Sequence, residues 1–162
     1  MFFKFIFVDI YSVLLYIIMQ EKSRKNLDRI SSFINRFAGQ KVDFDGAYGA
    51  QCVDLFRQWC RDALGIPHTG AVSGAKDLAL KYDSLPLEKK YFSLEDAPKA
   101  GDAAVWGATS RNPYGHVAIV VSVDGDCILV FEQDGFAQDG CRFAARTSEN
   151  LIGCLRLREA FE

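Results

Sequence analysis

The stretch GHVAIVVSVDGDCILVFEQDG, residues 115–135, decides the fold class. Two runs of strand-forming residues flank the turn signal Asp124-Gly125, and this pattern predicts an antiparallel hairpin. Strands are predicted over 102–108, 115–123, 127–133, 141–146 and 152–158. The part of the chain after Pro98 is therefore predicted to form an antiparallel sheet of about five or six strands.

Amphipathic helices are predicted before the sheet, because apolar residues recur there at helical spacing. One helix is predicted over 23–38, a second from Cys52 to about Leu64, and a third, weaker one over 74–83. Helices followed by an antiparallel sheet indicate the α+β class. We expect one domain over residues 23–160, with the N-terminal helices packed on the sheet.

Composition limits the classes of partner and cofactor. The formal net charge of -2 provides no global positive field, so we expect no nucleic-acid partner. Five cysteines without a CxxC pair, beside only two histidines, argue against a disulfide framework and against a zinc site. No segment indicates an organic cofactor, and we expect a monomer.

Residues 1–19, MFFKFIFVDIYSVLLYIIM, are strongly apolar and precede a charged stretch. Three interpretations are open: an upstream extension or dispensable leader, an export signal or membrane anchor, and an integral part of the fold. An export signal lacks its A-x-A-like cleavage site, and an anchor would place Asp9 at mid-depth in the membrane. Membrane contact is predicted only through these residues.

Cys52 is the candidate nucleophile. It lies where the Gly- and Asp-rich loop 43–51 becomes a helix, and the N–H groups at a helix N-terminus favour an anion. Since the thiolate is the reactive form of cysteine, this position activates it. The other cysteines are expected to be buried apolar residues: Cys60, Cys127, Cys141 and Cys154.

His116, at the start of a predicted strand, is the candidate base, and its orienting partner depends on the hairpin turn. A three-residue turn with a bulge at Gly125 sets His116 opposite Glu132, with Asp134 as the diagonal neighbour. A two-residue turn at Asp124-Gly125 sets Gln133 opposite His116 instead. Both strands are apolar on both faces, so the apolar pattern does not choose between these turns.

Two further groups complete the candidate site. A carboxylate from Glu132 beside the imidazole would fix the tautomer of His116 and stabilise the imidazolium. Gln51, adjacent to Cys52, is a candidate amide donor to the oxyanion, together with the Cys52 backbone N–H.

Four segments in order resemble the CHAP domain, the cysteine- and histidine-dependent amidohydrolases/peptidases of the papain-like superfamily. The segments are QCVDL at 51–55, PKAGDAAVW at 98–106, GHVAIV at 115–120 and FEQDG at 131–135, and the resemblance covers roughly residues 30–158. It implies a papain-like fold with Cys52 as nucleophile, His116 as base and Glu132 as orienting acid. Where family members commonly carry Asn, this chain has Asp134.

The function that this resemblance implies is peptidoglycan hydrolysis, as in phage endolysins and bacterial cell-wall hydrolases. The bond would be the amide of a muramoyl-L-alanine amidase or that of a stem-peptide or cross-bridge endopeptidase, cut through a thioester acyl-enzyme. The protein would act at the cell wall, reached either at lysis or by export. The alternatives are a non-catalytic, calcium-dependent wall- or partner-binding module on the same fold, and a papain-like amidase or acyltransferase with a small-molecule or lipid substrate.

The loop DFDGAYGAQCVD, residues 43–54, is a candidate Ca²⁺ site. Hard oxygen ligands that alternate along a tight loop suit this cation. Several CHAP endolysins are similar at these spacings and bind calcium just before the catalytic helix. The candidate ligands are the carboxylates of Asp43, Asp45 and Asp54 and the backbone carbonyls of Ala47 and Gly49.

Overall fold

Six strands form a single antiparallel sheet in the computed structural model of the chain, which describes residues 10–67 and 70–161. The strands are β1 Phe92–Glu95, β2 Ala103–Trp106, β3 His116–Asp124, β4 Cys127–Glu132, β5 Arg142–Arg146 and β6 Leu151–Leu157. Their spatial order is β1-β6-β2-β3-β4-β5. The predicted antiparallel sheet is confirmed with all five of its predicted strands, and β1 is an additional strand.

All four α-helices precede the first strand of the sheet, which confirms the α+β class. They are α1 Ile10–Phe37, α2 Cys52–Asp62, α3 Asp77–Leu80 and α4 Pro86–Tyr91, with 3-10 turns at Tyr82–Ser84 and Glu159–Phe161. The helix predicted over 74–83 is shorter than expected and is followed by one of these 3-10 turns. The unpredicted α4 begins at Pro86, since the fixed φ of proline suits the first turn of a helix.

Helix α1 is longer than the predicted 23–38, and only its C-terminal part packs on the domain. Ile30, Phe33 and Phe37 are buried, whereas Leu27, predicted on the same apolar face, is 53% exposed. Residues 10–19 are exposed at the start of α1, and residues 1–9 of the apolar segment lie outside the described residues. No helix within the described ranges is both long and apolar enough to cross a membrane.

The main core lies between α1, α2 and one face of the sheet. Phe33 packs edge-to-face on Trp59 and on Phe131 of β4, with ring centroids 5.0 and 6.2 Å apart. Side chains alternate between the faces along a strand, so Ala118 and Val120 belong to a smaller apolar cluster on the opposite face. This packing places the start of α2 beside β3, where the candidate nucleophile and base meet.

The β3–β4 hairpin has a turn that matches neither predicted alternative. Asp124 pairs with Cys127, so the loop has two residues, Gly125 and Asp126. A bulge between Val120 and Ser122 then shifts the register by one residue. An added residue exchanges the faces of a strand. The bulge therefore places Glu132 on the same face of the sheet as His116. Without it, the turn would have placed Glu132 on the opposite face.

Ile119 pairs with Phe131, so the next pair in this register sets Glu132 opposite Ala118. Ala118 is two residues from His116 and lies on the same face. The prediction that Glu132 lies directly opposite His116 is wrong, but the two residues do share a face.

The prediction for the cysteines is also wrong at one position. Cys127, beside the turn, is exposed, whereas Cys60, Cys141 and Cys154 are buried.

Candidate active site

Cys52 is the first residue of α2, where the unpaired N–H groups of the helix begin. The turn before it is closed by Asp54, whose Oδ2 accepts a hydrogen bond from the Gln51 backbone N–H at 2.9 Å. The thiol is partly exposed, in contrast to the buried thiols of Cys60 and Cys141. Cys52 therefore combines a helix N-terminus with access from solvent.

His116 and Glu132 form a buried pair beside Cys52. His116 Nε2 lies 3.0 Å from Glu132 Oε2, and the Glu132 side chain is only 2% exposed. Cys52 lies close enough to His116 to raise the pKa of its imidazole, and both side chains line the same cleft. Because Nε2 is taken by Glu132, Nδ1 is the ring nitrogen left to face the thiol. The three groups thus form a continuous relay from α2 through β3 to β4.

The electrostatics of the pair favour charge on both partners. Burial opposes the imidazolium, but the hydrogen bonds with Cys52 and Glu132 outweigh it and raise the pKa of His116 to about 9. Burial likewise opposes the carboxylate, yet its hydrogen bonds with His116 and Arg146 lower the pKa of Glu132 to about 2. A charged Glu132 can therefore hold the imidazolium in one orientation.

Two arginines on β5 also contact Glu132, and neither was predicted from the sequence. Arg146 Nε donates to Oε2 at 2.6 Å, and Arg142 Nη2 approaches Oε1 at 3.5 Å. Both lie on the predicted strand 141–146, an even number of residues apart, so the alternation of side chains puts them on one face. The missing information was the order of the strands, which places β5 next to β4.

Asp134, the residue at the family's Asn position, supports a turn. Its Oδ1 accepts a hydrogen bond from the Phe136 backbone N–H at 2.8 Å, and its Oδ2 lies 3.9 Å from Arg142 Nη2. Asp134 lines the same cleft as His116, but none of its described contacts is with the imidazole.

Two glutamines hold the loop that carries Cys52. Gln133 is completely buried, and its Nε2 donates to the carbonyl oxygens of Val42 at 2.7 Å and of Gln51 at 2.8 Å. Its Oε1 accepts from the Val42 N–H at 2.7 Å. Gln138 exchanges similar hydrogen bonds with the N–H and the carbonyl of Ala50, at 3.2 and 2.9 Å. Sequence reasoning considered Gln133 only as a neighbour of His116.

A cleft of about 540 Å³ opens over the relay. Cys52, His116 and Gln51 all lie on its lining. Exposed aromatic side chains border the cleft and offer apolar contact area to a bound chain. They are Tyr48, Tyr114 and Phe136.

The three carboxylates among the predicted metal ligands are brought together. One carboxylate oxygen each from Asp43, Asp45 and Asp54 lies within 4.8 Å of the others. Burial raises the pKa of Asp54, and the nearby Asp45 and Asp43 add to that rise against the opposing Gln51 N–H and Arg57. Arg57 Nη1 lies 2.6 Å from Asp45 Oδ2, so a guanidinium already neutralises one side of the cluster.

The backbone between these acids turns sharply. Gly46 and Gly49 both adopt positive φ, at 73° and 74°, a conformation that glycine reaches without strain. The N–H groups of Gly46 and Ala47 donate to the Asp43 and Asp45 side chains at 2.9 and 3.0 Å. The loop is therefore folded by its own acidic side chains.

Comparison with known proteins identifies relatives of this arrangement. A family profile described as CHAP domain matches residues 41–134. Endolysin PlyTW of Staphylococcus phage Twort is 31% identical over 128 residues, which cover 68% of this chain and 24% of that protein. The D-alanyl-L-alanine endopeptidase of Streptococcus phage B30 is 33% identical over 95 residues, which cover 56% of this chain and 21% of that protein.

The chain thus spans about a quarter or less of the length of these curated relatives. Among solved structures, the wild-type endolysin LysIME-EF1 superposes with a TM-score of 0.61 at 24% identity, over 80% of this chain and 63% of that one. At this identity the likeness shows the fold, and it confirms the predicted architecture.

Proposed function

Because the chain belongs to the CHAP domain family, we propose that it is a peptidoglycan hydrolase that cuts an amide bond with Cys52 as its nucleophile. The observation that carries the proposal is the relay: a thiol at a helix N-terminus, beside a buried His116 whose Nε2 is held by Glu132. Relatives named as an endolysin and an endopeptidase support peptidoglycan as the substrate.

In the proposed reaction the Cys52 thiolate attacks the carbonyl carbon of the amide. As the C–N bond breaks, the His116 imidazolium gives its proton to the leaving amine, and a thioester remains on Cys52. Neutral His116 then takes a proton from water, whose oxygen attacks the thioester and releases the acid. The sulfur leaves as thiolate beside the imidazolium, which restores the starting state.

Two donors are proposed for the oxyanion that forms during attack. The Cys52 backbone N–H lies in the first turn of α2, where it has no helical acceptor. The Gln51 side chain lines the same cleft and is the second candidate donor. Donors of this kind stabilise the charge that develops on the carbonyl oxygen. Asp134 is proposed to shape the cleft through its turn with Phe136.

The test is mass spectrometry of purified peptidoglycan digested with the parent protein and with Cys52→Ala. We expect new fragments from the parent that the variant does not produce. Released amino termini of stem or cross-bridge residues would identify an endopeptidase, whereas free muramoyl groups and L-alanine termini would identify an amidase. Equal digestion by Cys52→Ala would overturn the proposal, as would a folded parent protein that yields no fragments from several wall types.

The rival proposal, a non-catalytic binding module, draws its support from the acidic loop beside the cleft. A thiol-reactive probe at pH 6–7 separates the two: preferential labelling of Cys52 supports the enzyme. Labelling of Cys52 no faster than that of the exposed Cys127 supports the binding module.

We also propose that the acidic loop binds Ca²⁺ through Asp43, Asp45 and Asp54, with the carbonyls of Ala47 and Gly49 as further ligands. The convergence of the three carboxylates fits a hard cation. Arg57 on Asp45 is a competing cation, so binding would require its guanidinium to move from that oxygen. The bound ion would neutralise the loop that leads into Cys52.

Calorimetry of EDTA-treated protein tests the calcium site. We expect a binding heat with CaCl₂ that is lost in Asp43→Asn, a change that leaves the Arg57 contact intact. Absence of binding by the parent at millimolar calcium would contradict the proposal. Arg57→Gln removes the competing cation, and we expect it to bind calcium more tightly than the parent.

A further inference from the structure

The relay contains a permanent cation besides its histidine. Arg146 Nε donates to Glu132 Oε2 at 2.6 Å, and the same oxygen faces His116 Nε2 at 3.0 Å. The Glu132 carboxylate is almost completely removed from solvent. A buried carboxylate is costly unless cations compensate it, so Glu132 stays charged only because of the cationic groups that contact it.

The guanidinium of Arg146 is also fixed on its other side. Its Cζ lies 5.3 Å from the centre of the Trp106 ring, within the range of a cation–π contact. Trp106 is itself anchored, because its Nε1 donates to the Thr147 carbonyl at 3.0 Å, and it pairs with His116 across β2 and β3. Arg146 is therefore held between the Glu132 carboxylate and the Trp106 ring on β2.

Arg142 is a natural comparison on the same strand. It pairs directly with Glu132 across β4 and β5, yet its Nη2 reaches Oε1 only at 3.5 Å. Its other contacts are with Asp139 and Asp134 at the surface. Arg146 pairs with Ile128, four pairs along the same ladder, and nevertheless makes the shorter contact with Glu132.

We infer that Arg146 is a positioning residue of the relay, which keeps the Glu132 carboxylate charged and in place while His116 changes its own charge. The inference rests on the proposed function for its catalytic meaning. During the reaction His116 gives up its proton to the leaving amine, and at that stage the imidazole no longer compensates Glu132. An arginine guanidinium is always charged in proteins, so Arg146 supplies a constant positive charge throughout the cycle.

The same charge moderates the basicity of His116. The groups that face the imidazole or its carboxylate are Cys52 from α2, Glu132 from β4, and Arg146 and Arg142 from β5. Of these, Arg146 opposes the imidazolium, whereas Cys52 and Glu132 favour it. Without Arg146, Glu132 would be compensated mainly by the imidazolium, which would then release its proton less readily.

The test is an NMR titration of the His116 ring in the full chain, with His68→Gln as background so that one histidine is observed. For Arg146→Met we expect an upward shift of the titration midpoint, up to about 1 pH unit. Arg146→Lys, which retains the charge, should titrate close to the parent. Arg142→Met is the matched control and should shift the midpoint less. An unchanged or lowered midpoint in Arg146→Met would overturn the inference.

Kinetics supply the second readout. We expect Arg146→Met to lower kcat by tenfold or more with little change in KM, and to have no further effect in a Glu132→Gln background. Additive losses in the double variant would overturn the inference, because they would mean that Arg146 does not act through Glu132. If the parent cuts no peptidoglycan, the proposed function fails while the titration still tests Arg146. Arg146→Gln replaces Arg146→Met should the latter not fold.

Discussion

Gln133 Nε2 donates a hydrogen bond to the carbonyl oxygen of Gln51 at 2.8 Å, one residue before the nucleophile. The same amide exchanges two hydrogen bonds with the backbone of Val42. One side chain that directly follows β4 therefore holds both ends of the loop 42–51. The position of Cys52 relative to the sheet depends on this contact as well as on the packing of α2.

Replacing Gln133 with Leu is expected to destabilise the protein and to lower its activity. The change leaves the Val42 N–H and two backbone carbonyls without their partner, and each stranded buried group costs about 1–3 kcal/mol. Urea denaturation measures the loss. Gln138→Leu removes similar contacts at a partly exposed position and should cost less. Equal stability of the parent and Gln133→Leu would contradict this role.

Replacing Glu132 with Gln is expected to reduce kcat by up to about 10⁴-fold, the loss seen when the orienting acid of a Ser-His-Asp triad is neutralised. The amide nearly preserves the shape of the side chain but removes the charge that stabilises the imidazolium. The His116 titration midpoint should fall, because its hydrogen bond with a carboxylate is lost. Full activity in the variant would show that the carboxylate is not part of the mechanism.

Asp134→Asn is expected to retain activity within a few-fold of the parent. The amide oxygen can still accept the Phe136 N–H, and no described contact of Asp134 reaches the imidazole. Asp134→Ala is the comparison variant: it removes the acceptor of the Phe136 N–H and should lower activity more than Asp134→Asn. A hundredfold gain or loss in Asp134→Asn would indicate a direct role in the reaction.

Stability should depend on pH through His116. Its pKa is raised from 6.5 to about 9 in the folded chain, so the imidazolium is favoured by folding. That contribution is fully present below about pH 6.5, declines as the pH rises, and is lost above about pH 9. Urea midpoints from pH 6 to 10 should fall in the parent more steeply than in His116→Gln. Parallel curves would refute the assignment.

The position of Cys52 could be predicted because its signal is local. A loop rich in Gly and Asp followed at once by an amphipathic run determines where a helix begins, whatever packs on it. The extent of α1 was harder to predict from the sequence. Helical spacing identified Phe33 and Phe37 on the buried face. It also placed Leu27 there, but Leu27 is exposed although the neighbouring Asn26 still donates a hydrogen bond to the Ala100 carbonyl.

The contacts of the relay could not be predicted from local sequence patterns. A bulge at Val121 corrects the parity of the hairpin, and β3 and β4 are apolar on both faces, so no pattern marks it. Arg146 and Gln133 were missed for a related reason. Their contacts join segments that are distant along the chain, and only the strand order and register bring them to Glu132 and Gln51.

Strand β5 forms one edge of the sheet, and an open edge can pair with another chain. Its start is shielded because Gly39 and Cys141 bond through their backbones at 2.8 Å. Beyond that bridge, a strand of five residues exposes Phe143 but carries Arg142 and Arg146 on its other face. Short length and charge discourage edge-to-edge aggregation. The two arginines that contact Glu132 thus also place positive charge on the open edge of the sheet.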